Sequence, residues 1–150
     1  MASQPPWIYV ATAEPLDDEM AARIAEHRSR RGRGRDWQTI EAPLDLAGAI
    51  ATAPAASAIL VDCLTLWLSN LIFKQRDIDA EIKHLETVMT ARNAPVVLVS
   101  NEVGFGIVPD NAQARQFRDR QGRLNQRIAA RADRVVLVVA GLPMLVKGTP

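Results

Sequence analysis

Four short runs of apolar, largely β-branched residues, each lying next to polar side chains, constrain this chain more than any other feature. They are Trp7–Thr12, Ala58–Asp62, Val96–Ser100 and Arg134–Val139. They are continuously apolar rather than alternating, which is the pattern of strands covered on both faces of a parallel sheet. Parallel strands need crossover connections, and helical patterns fill the intervals. Asp17–Arg31 has acidic residues in its first turn and arginines at its end, matching the helix dipole. Leu44–Ala53 is a weaker helix, and Leu64–Phe73 is strongly apolar and follows the second run at once. Ile78–Arg92 is amphipathic and closed by Asn93 and Pro95, and Asn111–Ala132 is long and arginine-rich. The alternation predicts a three-layer α/β fold with a mainly parallel sheet and right-handed crossovers. No repeat or long linker interrupts it, so residues 1–150 read as one domain. Arg28–Arg35, with Gly32 and Gly34, is the expected mobile loop.

Bulk properties narrow the function. A net charge of +1 is no electrostatic match for nucleic acid or an anionic membrane, so an anion site must come from local clustering. The single cysteine, Cys63, excludes an intramolecular disulfide. No apolar run approaches the roughly 20 residues that span a bilayer, and Met1–Pro6 has neither the basic nor the apolar region of a secretory signal. A cytoplasmic soluble protein is the expectation.

In such a sheet, ligands bind at the carboxyl ends of the strands. The first run ends Ala11-Thr12-Ala13-Glu14, the second at Asp62, and the third in Ser100-Asn101-Glu102-Val103-Gly104. A carboxylate ending a buried strand suits Mg²⁺ held through water, and Asp62 equally suits the N-cap of the helix that begins at Leu64. Glu102 is a second carboxylate that could share the metal or accept a proton. His27 lies on the stripe Met20, Ile24, His27, Arg31, and five arginines fall within Arg28–Arg35. A histidine there is open to two readings, a side chain at the margin of the core or a nucleophile toward phosphorus beside guanidiniums that bind polyphosphate. The arginine run alone also fits a solvated loop or a nucleic-acid patch. His84 reads as surface and Cys63 as packing. Arg115, Arg118, Asp119, Arg123, Asn125 and Arg127 crowd one helix, where Asp119 and Arg123 form an i,i+4 pair.

Together these segments resemble the bifunctional adenosylcobinamide kinase / adenosylcobinamide-phosphate guanylyltransferases of vitamin B12 biosynthesis. Leu16–Ile24 with His27, then Trp37–Glu41, is similar to their guanylylated-histidine region. Asp62–Leu71 looks like their Walker-B segment. Asn101–Gly104, Ile107–Pro109, Ala114-Arg115, Phe117–Asp119 and Gly122–Gln126 resemble their most distinctive signature, and Val138–Pro143 fits their close. The resemblance implies a P-loop NTPase fold of the RecA-like type. It implies kinase transfer of a γ-phosphate from ATP or GTP, then GMP transfer from GTP through a guanylyl-histidine. By position His27 is the nucleophile, Asp62 the Mg²⁺-side carboxylate, and Thr12 and Ala13 the nucleotide-binding strand end. Arg28, Arg30 and Arg31 line the polyphosphate, and Glu41 contacts guanine. A homotrimer is implied.

The family begins with a strand and a Gly-x-x-x-x-Gly-Lys-Ser loop. No Gly-x-x-x-x-Gly-Lys occurs in these residues. That loop supplies the amide cradle and lysine that grip phosphate. The expectation is therefore a family member whose first strand and Walker A loop are absent and whose activity is impaired. The competing expectation is a non-catalytic α/β remnant that binds nucleotide, polyanion or a partner subunit.

Overall fold

The computed structural model describes residues 5–15, 17–31 and 36–149, with the side chains of His27, Arg30 and Arg31 outside that description. The chain forms two compact units, Met1–Asn101 and Glu102–Pro150.

The first unit is α/β. Its strands are β1 (Trp7–Ala11), β2 (Trp37–Glu41), β3 (Ile59–Asp62) and β4 (Val96–Leu98), in spatial order β2-β1-β3-β4 and all parallel. Helix α1 (Asp18–Arg31) joins β1 to β2, and α2 (Leu46–Thr52) joins β2 to β3. Helices α3 (Leu64–Phe73) and α4 (Ile78–Ala91) join β3 to β4. Because β1 leads outward to β2 while the later connections run the other way, right-handed crossovers put α1 on one face and α2, α3 and α4 on the other. Consistently, α4 packs on both α2 and α3.

Burial follows the sequence pattern where both faces are covered. Ile8, Val10, Ile59 and Val61 of the two central strands are at most 1% exposed. Helix α3 buries Leu64, Trp67, Leu68 and Leu71, the i, i+3, i+4, i+7 stripe of a helix lying on a sheet. Caps define the helix starts. The Asp17 carboxylate accepts from Met20 N at 2.7 Å, Asp45 from Gly48 N at 2.9 Å and Asp77 from Ala80 N at 3.1 Å. A Cβ at Gly48 would lie 2.2 Å from the Asp45 carboxylate, so any other residue there would displace the capping group.

Strand β2 was not legible as a strand. Trp37-Gln38-Thr39-Ile40-Glu41 mixes polar and apolar residues and lies at the sheet edge with three of its five residues exposed. The Arg28–Arg35 loop also needs correction. Helix α1 continues through Arg31, carried by good helix formers, and residues 32–35 lie outside the described residues.

The second unit holds α5 (Ala112–Arg131) and a hairpin of β5 (Val135–Val139) and β6 (Leu142–Lys147). The run Arg134–Val139, expected in the parallel sheet, is here an antiparallel strand with three of five residues exposed. The local cause is the turn Val139-Ala140-Gly141-Leu142. Ala140 and Gly141 both have positive φ, 52° and 78°, as a two-residue type I′ hairpin requires. Helix α5 is capped by Asn111, which accepts from Ala114 N at 2.7 Å, and closed by Lys147, whose Nζ donates to Ala129 O and Ala130 O. Asp119 lies against Arg118 Nε at 3.8 Å.

Candidate active site

The connection after β1 leaves toward β2, and the connection after β3 leaves toward β4. Adjacent parallel strands whose crossovers depart in opposite directions open a crevice at their carboxyl ends, the switch point where α/β sheets bind ligands. Ala11 is paired with Asp62, so Thr12, the next residue, lies beside the end of β3 at this edge.

Hydrogen bonds hold this edge tightly. Thr12 N donates to Asp62 O at 3.1 Å, while its hydroxyl donates to Cys63 O and accepts from Cys63 N, each at 2.8 Å. Asn70 of α3 donates to Thr12 O at 2.8 Å and to Pro43 O at 3.0 Å, tying the segment after β2 to the same edge. The end of β4 is drawn in by Leu64 N donating to Val99 O at 2.8 Å and Asn101 N to Thr65 Oγ1 at 3.0 Å. Thr12 is fully buried and Asn70 nearly so, so these polar groups are satisfied inside the protein.

Asp62 is not the helix cap. The N-cap of α3 is Cys63, whose side chain makes no capping bond, and the Asp62 carboxylate instead accepts the Tyr9 hydroxyl through Oδ2. Asp62 remains partly exposed. Ala13 and Glu14 follow Thr12, both half-buried, and Glu14 Oε2 is buried with no donor among the described residues. A buried carboxylate oxygen without a donor invites one from a ligand.

At the outer side of the sheet, Arg28 of α1 donates through Nη2 to Glu41 Oε1 at the end of β2. The structure thus joins two residues that the sequence reading assigned separately to polyphosphate and to guanine. His27 lies one residue before Arg28 on α1, and Arg30 and Arg31 end that helix. Their side chains lie outside the described residues. His84 is exposed on α4 and Cys63 is buried, as expected. Glu102 opens the second unit, where its Oε1 accepts from Gly104 N at 2.7 Å and closes a tight turn. Arg115 there donates to Pro109 O at 2.9 Å and Asp110 O at 2.7 Å, pinning the loop ahead of α5.

Among the described residues, no three His, Cys, Asp or Glu side chains cluster as a metal cage. One half-exposed carboxylate at a strand end does fit a hydrated Mg²⁺ that takes its remaining ligands from waters and phosphate oxygens. Sequence reasoning missed Tyr9 and Asn70. The signal for Tyr9 was a lone tyrosine within an otherwise apolar buried strand, since a buried phenol seeks a partner.

The model of the family described as cobinamide kinase / cobinamide phosphate guanyltransferase matches residues 1–146. The bifunctional adenosylcobalamin biosynthesis protein CobP of Pseudomonas aeruginosa is 46% identical over 145 residues, covering 95% of this chain and 83% of the relative. The bifunctional adenosylcobalamin biosynthesis protein CobU of Salmonella typhimurium is 44% identical over 160 residues, covering 95% and 87%. That of Escherichia coli is 41% identical over 156 residues, covering 93% and 85%.

Proposed function

The chain belongs to the cobinamide kinase / cobinamide phosphate guanyltransferase family, enzymes that are kinases and nucleotidyltransferases, and from that premise we propose the following reactions for it. It phosphorylates the aminopropanol hydroxyl of adenosylcobinamide with ATP or GTP. It then transfers GMP to the resulting phosphate by way of His27. The observation that carries the reading is the switch-point edge, where Thr12, Asp62 and Tyr9 are locked together at the mouth of the crevice.

In the transferase half-reaction a ring nitrogen of His27 attacks the α-phosphorus of GTP. The bond from that phosphorus to the β-phosphate bridging oxygen breaks, and pyrophosphate leaves with the electron pair. A phosphate oxygen of the cobinamide substrate then attacks the same phosphorus, the P–N bond breaks, and neutral imidazole returns. Arg28, Arg30 and Arg31 offset the polyphosphate charge. Glu41 accepts from the guanine N1 and N2 donors, exchanging the Arg28 contact for them. Asp62 would hold Mg²⁺ through water, and that ion would neutralise charge on the phosphates. Glu102 belongs to the same reading as a further carboxylate. The exposed side chains Phe105, Ile107, Val138 and Leu142 support a homo-oligomer, which by the family likeness is a trimer. Among the described residues no helix is long and apolar enough to cross a membrane, and the reading places the enzyme in the cytoplasm.

Incubation of residues 1–150, preceded by a strand and a Gly-x-x-x-x-Gly-Lys-Ser loop, with α-labelled GTP and Mg²⁺ tests the histidine. The expected bond is acid-labile and base-stable, because protonated imidazole is a good leaving group. His27→Ala should abolish labelling and His84→Ala should preserve it. Label surviving in His27→Ala removes His27 from the mechanism. A second reading is a non-catalytic polyanion binder. A Gly-x-x-x-x-Gly-Lys-Ser loop supplies several phosphate contacts at once, and loss of a single electrostatic contact costs about 10²–10³ in rate. Residues 1–150 preceded by a strand and such a loop should therefore show a much higher kinase rate than residues 1–150 assayed alone. Equal rates in both would show that the loop is dispensable. Unlabelled protein that binds any polyanion in a salt-sensitive manner supports the second reading.

A further inference from the structure

We infer that Tyr9 is a positioning residue, holding the Asp62 carboxylate in the orientation that receives a hydrated divalent cation. The inference rests on the reading of Asp62 given above. Ala11 pairs with Asp62, and Tyr9 lies two residues earlier on β1 and on the same face. Two residues of strand span about 6–7 Å, the reach of a tyrosine side chain. The phenol therefore runs along the sheet to the end of the neighbouring strand and donates to Asp62 Oδ2.

The two partners differ in burial, and that difference gives the contact its direction. Tyr9 is 7% exposed and packed in place, whereas Asp62 is partly open at the crevice. The more buried member therefore orients the more exposed one. The Asp62 backbone is already fixed by Thr12 N, so the phenol settles what remains, the torsion of the carboxylate. No other described residue donates to that carboxylate. With Oδ2 engaged by a charge-assisted bond, Oδ1 is left to accept from cation-bound water. Partners of this kind stand behind metal-binding carboxylates generally, and removing one typically costs about 10–100-fold in metal affinity.

Mn²⁺ binding in the presence of GTP, followed by electron paramagnetic resonance of free Mn²⁺, reads this without requiring turnover. Tyr9→Phe should raise the Mn²⁺ dissociation constant about tenfold. Asp62→Asn should raise it further. Ile8→Val, a change at a 1%-exposed position on the same strand, should lower stability and leave Mn²⁺ affinity alone. Wild-type affinity in Tyr9→Phe overturns the inference while the reading of Asp62 stands. An equal loss in Ile8→Val also overturns it, because the effect is then structural only. Asp62→Asn and the wild type binding Mn²⁺ alike overturns the reading of Asp62 and the inference with it. Should Tyr9→Phe not fold, the wild type still decides. Tyr9 is the single tyrosine, so ¹³Cζ-tyrosine labelling gives one resonance. That resonance should move in Asp62→Asn and on adding Mg²⁺ with GTP. A resonance unmoved by either change overturns the inference.

Discussion

Strands β1 and β3 and the hairpin strands β5 and β6 are made of nearly the same residue types and end in opposite environments. Trp-Ile-Tyr-Val-Ala and Ile-Leu-Val-Asp place Val10 and Val61 at 0% exposure. Val-Val-Leu-Val-Val and Leu-Pro-Met-Leu-Val-Lys leave Val138 at 64% and Leu142 at 69%. The difference lies in the neighbours. Each central strand of the first unit has a strand on both sides and helices over the sheet, whereas β5 and β6 have only each other within their two-stranded sheet. An apolar run therefore specifies that surface is costly to leave wet, and the connectivity around it specifies whether that surface is covered.

The sharpest way to break this comparison is to cut matched side chains from both regions. Leu71→Ala should cost about 2–5 kcal/mol in urea unfolding, because Leu71 is fully buried. In the dissociated monomer Leu142→Ala should stay within about 0.5 kcal/mol. Equal losses there would mean that the hairpin is covered within one chain, by a further segment.

Next in size is the clamp at the opposite end of α2. Arg92 donates to Ile50 O, Ala53 O, Pro54 O and Ser57 O, satisfying carbonyls in and just after the last turn of that helix. Burial pushes its guanidinium downward from the ordinary arginine range. The group still stays charged in folded and unfolded chains alike near neutral pH, so its contribution there does not vary with pH. Arg92→Ala should lower unfolding stability by about 1.5–3 kcal/mol, the worth of hydrogen bonds to a charged group. Arg92→Lys, with one compact ammonium in place of the planar fork, should recover only part of it. Full recovery by lysine would assign the effect to charge alone.

A smaller effect is expected at the start of α2. Asp45→Ala should cost about 1 kcal/mol through loss of its cap. Gly48→Ala should cost a comparable amount, because its Cβ collides with the same carboxylate. In the double variant the two losses should not add, since one cap cannot be lost twice. Additive losses would show that Gly48 serves another purpose.

The smallest change concerns the hairpin turn and runs the other way. Ala140 has φ 52°, which costs a non-glycine residue about 1–2 kcal/mol, and glycine returns about 0.5–1 kcal/mol of that as chain entropy. Ala140→Gly should therefore stabilise the hairpin by about 0.5 kcal/mol and slow amide exchange in β5 and β6. Faster exchange would show that the turn is not held in the type I′ form.

Particular elements show how far the sequence could be read. Helix α3 was placed residue for residue at Leu64–Phe73, and α1, α4 and α5 to within one residue at an end, because capping and periodicity act locally. The strands Trp7–Ala11 and Ile59–Asp62 were legible because burial on both faces leaves a continuous apolar run. Strand β2 escaped because an edge strand keeps polar residues. The strand-end positions of Thr12 and Asp62 were readable, but the clamp between them was not. Thr12 reaches Cys63 across 51 residues, Asn70 reaches Thr12 across 58, and Tyr9 reaches Asp62 across 53. No local pattern records such partners.

By itself, then, the sequence determined the α/β alternation, the helix boundaries, the polar strand ends and the family likeness, since each follows from local propensity or residue order. Tertiary structure alone decided which strands are neighbours. It set the switch point between β1 and β3, took Asp62 from helix capping to Tyr9, and made Val135–Val139 one strand of an antiparallel hairpin. The physical reason is that burial and hydrogen-bond satisfaction are properties of pairs brought together by the fold. One strand's residues carry the demand for a partner, and only the packed sheet settles which partner meets it.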